Sequence, residues 1–228
     1  MTIKAWQGPS TIDGQDIMAV VSCECSASKN DKTGDMVQVA FMRTDIKPST
    51  AVREGKDGSV CGDCKFRAWI RKQTKSDEPP CYVATHWMAS TWKAGKAAIE
   101  SMVAACSVLN GKPVRFGSYG NMSSIPRDAA ERLLKAARKW TLYEHRWKLD
   151  SVQWLRHWAM ASVHNEAEAR EAQAMGWRTF RAMPEGGQPM DSEVVCPFET
   201  HKVQCADCLL CNGKRDGGKR KSVCVTAH

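Results

Sequence analysis

The sequence predicts an α/β fold, a partial or degenerate (β/α) barrel with a cysteine-rich metal-binding segment at its C-terminal end. Two observations lead there. Across residues 92–182, stretches with helical periodicity alternate with short apolar or β-branched runs, and such alternation builds a parallel sheet with covering helices. The last quarter of the chain then carries Cys196, Cys205, Cys208 and Cys211 in a C-x8-C-x2-C-x2-C pattern. A doubly wound open sheet is the second architecture that fits the alternation.

Each element has a local reason. Residues 17–21 and 37–42 are strand-like runs separated by the polar, turn-forming stretch SKNDKTGD, so they are expected to pair. Residues 92–109 place apolar side chains at helical spacing, and Asn110-Gly111 follows as a C-cap signal. Residues 113–116 read as a buried strand. Pro126 opens a helix that runs through 129–139. Residues 141–145 and 158–163 are strands, 166–175 is a helix stopped by Gly176, and 177–182 is the next strand. Residues 223–227 supply the last strand. Strand-to-strand spacings of about 18 to 28 residues are at the compact end for βα units. Residues 1–190 are thus expected to form the body, including the first cysteine set at 61–81, and residues 191–228 the metal-binding segment.

Composition narrows the setting. The 228 residues contain no apolar run near 18, so no membrane-spanning helix is expected, and the amino-terminal stretch has no hydrophobic signal region. A cytoplasmic protein follows, and in that reducing compartment eleven cysteines are thiols or metal ligands rather than bridges. The formal net charge of +8 suggests a nucleic-acid partner. Much of the excess sits in the Gly-rich stretch 214–221, which reads first as a solvated loop and second as a phosphate-binding surface.

The cysteine spacings carry the chemistry. A continuous C-x2-C-x2-C run offers three sulfurs to three corners of a cuboidal cluster, and the more distant Cys196 supplies the fourth ligand. One or two [4Fe-4S] clusters are therefore the expected cofactors. Zinc is the alternative, although it more often takes two separated C-x2-C pairs. Upstream, Cys61, Cys64 and Cys81 form a C-x2-C-x16-C set that is one ligand short. Either it holds a centre with an open position, or a fourth ligand comes from Cys23, Cys25, His86 or Cys224. Open coordination separates catalytic from structural metal sites, so any chemistry is expected at this set. No catalytic side chain is assigned.

Strand ends in an α/β protein are where ligands bind. Here they carry Arg115, Ser118, Tyr119, His145, His164 and Arg181, together a polar mouth suited to a small or anionic ligand. The plainer explanation is that strand ends are polar because loops begin there. Neither G-x-G-x-x-G nor G-x4-G-K-[ST] occurs. Cys106 falls on the apolar face of the 92–109 helix and reads as a core thiol. Cys23 and Cys25 alternate and would face opposite ways. Cys224 reads as a buried strand thiol, and His201 can stand in for Cys196. Nine tryptophans are expected mainly to pack the core, with base stacking the rarer use.

The motifs S-V-C-G-D-C at 59–64, C-Y-V at 81–83, R-F-G-S-Y-G at 115–120 and C-P-x7-C-x2-C-x-L-C at 196–211 resemble a group of cysteine-rich phage and prophage proteins. The resemblance covers most of the chain and implies a viral or prophage origin, with a metal centre in the host cytoplasm. More loosely, the layout is similar to the radical S-adenosylmethionine enzymes, which implies S-adenosylmethionine as a further cofactor. The sequence departs from them where that cofactor binds, because the C-x3-C-x2-C loop is absent.

Overall fold

The computed structural model describes residues 1–23, 31–75, 81–214 and 219–226. The α/β class holds, and the strands form two five-stranded sheets. Two compact units divide the chain, one made of Met1–Ser28 with Met36–Lys139 and the other of Lys29–Asp35 with Trp140–His228. The division thus falls at residue 139 rather than near residue 190.

In the first unit, β1 (Thr2–Pro9), β2 (Asp16–Ser22) and β3 (Val37–Arg43) run antiparallel in sequence order. β4 (Val114–Tyr119) then adds parallel to β3. The expected pairing of the second and third strands is present, with Met18 opposite Met42 and Val20 opposite Ala40. Ile17 through Val21 are wholly buried, so β2 is a central strand covered on both faces and shows no alternation. β1 is polar enough along its length to hide this assignment in the sequence. The strand order within this unit is β1-β2-β3-β4, and β5 (Trp140–Thr141) is the first strand of the second unit.

Helices α1 (Pro48–Glu54), α2 (Gly58–Cys61) and α3 (Ala68–Thr74) build the loop region after β3. The single helix expected over 92–109 is instead two, α4 (Ala89–Ala97) and α5 (Met102–Gly111). Between them the chain straightens, Glu100 bridges to Lys4, and the Ser101 hydroxyl caps α5 by accepting from the Ala104 amide at 3.2 Å. The β-branched and polar residues Ile99-Glu100-Ser101 yield to this cap and edge contact. Helix α6 (Arg127–Ala136) follows Pro126 as expected, burying Ala129, Ala130, Leu133 and Leu134.

The second unit is an all-parallel sheet in the order β6-β7-β8-β10-β9. Its strands are β6 (Tyr143–Glu144), β7 (Met160–Val163), β8 (Arg178–Met183), β9 (Glu193–Val195) and β10 (Ser222–Thr226). The last strand enters between β8 and β9, so the cysteine segment is an excursion between two neighbouring strands. Helix α7 (Glu166–Ala174), capped by the Asn165 side chain, buries Ala169 and Ala172 against β7 and β8. On that face Arg181 and Glu193 form a buried ion pair, with contacts of 2.6 to 3.2 Å. The tryptophans of this unit serve packing, as expected. Trp147 and Trp177 are buried and donate to Ser162 O and Gln153 Oε1, and the Trp140 indole donates to Trp158 O.

Removing one member of a buried ion pair strands the other charge. Arg181→Met should lower stability by about 3–5 kcal/mol in urea unfolding, and Arg181→Met with Glu193→Leu should recover most of that loss. A single variant as stable as the natural chain would contradict the pair's role.

Candidate metal centres

The four C-terminal cysteines lie on one short excursion. It runs from the end of β9 through α8 (Pro197–His201) and α9 (Cys205–Cys208) and closes at Cys211. Pro197 at the first helical turn starts α8, and the Cys196 carbonyl accepts from the Glu199 and Thr200 amides. Helix α9 ends after one turn because Leu209 adopts a left-handed conformation, φ 51°, and this reversal turns the chain back towards Cys211. Cys196, Cys205, Cys208 and Cys211 line one cavity with Pro197, Phe198, Val203, Leu209 and Leu210. The walls are apolar, apart from the sulfurs and Thr141.

This cavity sits over one face of the second sheet. Cys196 and Cys211 are part of a core cluster with Met160, Val223 and Val225, against which Tyr143, Phe180, Val194, Phe198 and Leu210 pack. Arg178, buried at the start of β8, donates to the carbonyls of Leu210, Asn212 and Lys221. The Leu142 amide donates to Cys211 O at 2.9 Å. A second strap comes from residues 31–34 of the same unit, where the Cys205 and Ala206 amides donate to the Lys32 and Thr33 carbonyls at 2.8 and 3.1 Å. Burial pushes the Cys211 thiol up to about 12, with the neighbouring Cys205, Cys196 and Cys208 adding to it and a Tyr143 hydroxyl bond opposing. The four sulfurs are therefore close enough to repel one another as thiolates.

The other set lies in the first unit. Helix α2 ends at Cys61, Gly62 turns the chain at φ 63°, and Cys64 follows. Cys81 returns to this loop through its amide, which donates to Phe66 O at 3.1 Å. Arg67 locks the loop: it pairs with Asp57 at 2.7 Å and donates to the Gly62 and Gly55 carbonyls. From the turn after β4, Asn121 donates its amide to Val60 O at 2.7 Å and its side chain to Cys61 O at 3.1 Å. Burial pushes the Cys61 thiol well above its ordinary value, and Asp57, Cys64 and Cys81 add to the shift. Burial also pushes Cys64 up to about 11, opposed by the Phe66 and Arg67 amides that point at its sulfur. The Cys81 thiol is raised by desolvation, opposed by the Val83 amide. Amides aimed at sulfur stabilise thiolates, which is the ligating form.

Among the described residues no three His, Cys, Asp or Glu side chains are already gathered around a single point as a metal ion would hold them.

The six strand-end candidates divide between the units. Arg115, Ser118 and Tyr119 belong to β4, whereas His145, His164 and Arg181 follow or lie on strands of the parallel sheet. Ser118 donates to Val39 O, and Arg181 is committed to Glu193 and Gln188 O. Tyr119 is brought to the three-cysteine set. Among the proposed fourth ligands, Cys25 lies outside the described residues, Cys224 is buried on β10 and donates to Val194 O, and His86 stacks on Trp87. Cys23 is half-buried at the end of β2. Cys106 is half-buried rather than fully in the core. His201 bonds Thr200 beside the exposed end of α8. Of the basic stretch, residues 215–218 lie outside the described residues. Lys214 sits over the Trp140 ring, and Arg220 donates to Asn212 Oδ1 and Leu209 O. Asp57 and Arg67 shape the first loop without having stood out in the sequence. Their only signal was proximity to S-V-C-G-D-C.

Fold and sites together define an α/β protein with two five-stranded sheets, each unit carrying one cluster of cysteines. Compared with known proteins, the chain matches no family model, no curated sequence and no solved structure. No helix among the described residues is long and apolar enough to cross a membrane.

Linkage gives these thiols a pH signature when no metal is bound. Cys64 and Cys211 keep their protons when folded, to about 11 and about 12, while unfolded thiols ionise near 9.0. Their contribution to stability is complete below 9.0 and is lost as pH rises through the folded values. The melting temperature of the metal-free protein should fall steadily from pH 9 upward; a flat or rising profile would contradict the burial of these thiols.

Proposed function

We propose that the chain is an iron–sulfur protein with two thiolate centres of different character. Cys196, Cys205, Cys208 and Cys211 hold a closed, four-cysteine [4Fe-4S] cluster that completes the second unit. Cys61, Cys64 and Cys81 hold a cluster with one position open to a non-protein ligand. The observation that carries the reading is that four cysteines at cluster spacing line a single apolar cavity. Supporting it, the first set combines three mutually coupled thiols with amides directed at Cys64 and Cys81. When bound, such a group supplies one-electron transfer and, at an open iron, Lewis acidity.

The protein's own contribution is positioning and charge. Arg67 holds the first loop in shape and offsets the negative charge of thiolates beside Asp57. The apolar walls around the second set exclude water from sulfur, which protects it from exchange. A redox or radical-type enzyme acting at the first set is the activity this arrangement favours, and the reducing cytoplasm, the host's for a phage-encoded chain, is where such thiols persist. Closure of a sheet into a partial barrel is not required, since each set is built within one unit.

Anaerobic purification with iron, acid-labile sulfide and zinc counted per chain tests the proposal. The natural chain should be brown and carry about four to eight irons, as expected for one or two cubane clusters. Cys208→Ser and Cys61→Ser should each lose about four, while Cys106→Ala keeps them all. Colourless protein with stoichiometric zinc and salt-sensitive nucleic-acid binding would replace this reading with the zinc alternative.

A further inference from the structure

Tyr119 is only 3% exposed, yet its hydroxyl has no hydrogen-bond partner among the described residues. A buried phenol normally finds an acceptor, because an unmade bond at such a site is costly. The backbone has been bent to put it there. Val39 pairs with Phe116, and the next residue of β3, Ala40, pairs with Tyr119, so Gly117 and Ser118 are extra residues in a bulge. Such bulges re-aim a side chain. By register, Arg115 opposite Gln38 and Tyr119 opposite Ala40 share one face of β4, while Val114 and Phe116 take the other. Gly117 and Gly120 both adopt left-handed φ, 69° and 77°, and a Cβ at Gly120 would lie 2.9 Å from the Phe41 Cβ and 3.0 Å from the Val60 Cβ. That close approach sets the end of β4 directly against α2 and its Cys61.

The Tyr119 hydroxyl lies within the electrostatic reach of Cys61, Asp57 and Cys81, and Arg115 within that of Cys81. Arg67 is paired with Asp57, and the Tyr119 O–H is a hydrogen-bond donor left without an acceptor among the described residues. Arg115 is half-buried and makes no hydrogen bond or ion pair among the described residues. A phenol O–H and a guanidinium thus share one strand face, each within reach of Cys81.

We propose that Tyr119 and Arg115 form an anion subsite at the open position of the Cys61–Cys64–Cys81 centre, and that its ligand is a small carboxylate. One carboxylate oxygen accepts from the phenol, and the planar guanidinium matches the carboxylate geometry. This deepens the proposed function and rests on its three-cysteine centre.

Acetate is the probe, and the readout is the electron paramagnetic resonance spectrum of the reduced, reconstituted full chain, with the Cys61→Ser spectrum subtracted as background. Acetate should shift the natural chain's spectrum saturably. Tyr119→Phe and Arg115→Met should each raise the half-saturating concentration about tenfold, the worth of one charge-assisted hydrogen bond. Metal-free Tyr119→Phe should melt no lower than the natural chain, since it removes an oxygen that bonds nothing. A natural-chain spectrum indifferent to acetate, or a Tyr119→Phe response equal to the natural one, overturns the subsite and leaves the cluster standing. If Cys61→Ser retains the full iron content, the three-cysteine centre itself is absent and the subsite falls with it.

Discussion

A parallel sheet has two apolar faces, and each must be covered before the strands are stable. In the second unit this requirement organises everything else. Helix α7 covers one face in the ordinary way. The other is covered by the excursion from Cys196 to Cys211, which has only short helical turns and a few apolar side chains of its own. Such a segment cannot bury enough surface to offset its ordering entropy unaided. Arg178, reaching three carbonyls from the first position of β8, and the strap at residues 31–34 supply part of the missing order. A group bonded to four sulfurs would supply the rest, because ligation free energy acts as folding free energy.

The three-cysteine set is organised differently. Its loop is held by a buried Arg67–Asp57 pair and by Asn121 from the turn after β4, so its shape does not depend on a ligand. The two cysteine clusters thus differ in how their surroundings are stabilised before they differ in any chemistry.

Buried charge follows the same economy. Arg181 and Glu193 satisfy one another under α7, and Arg178 is held through its terminal nitrogens by carbonyls. Neither is free for a ligand, although strand-end position alone made Arg181 a candidate. Tyr119, a strand-end candidate like Arg181, is the reverse case, because its environment leaves its hydroxyl unmatched.

Local patterns in the sequence were sufficient for the α/β class, for β2, β3, α6 and α7, and for two separate sets of thiols. Periodicity, proline and glycine punctuation and cysteine spacing act over a few residues and can be read without a fold. Other features needed the tertiary structure. The split of residues 92–109 into α4 and α5 depends on an edge contact to β1, and the entry of β10 between β8 and β9 depends on long-range pairing. The boundary at residue 139 and the separation of the six polar candidates between two units follow from which strands share a sheet. Above all, the bulge at Gly117–Ser118 sets Tyr119 opposite Ala40 instead of two positions farther along β3. Where along its neighbour a side chain falls is decided by register, and register is a property of two strands rather than of one.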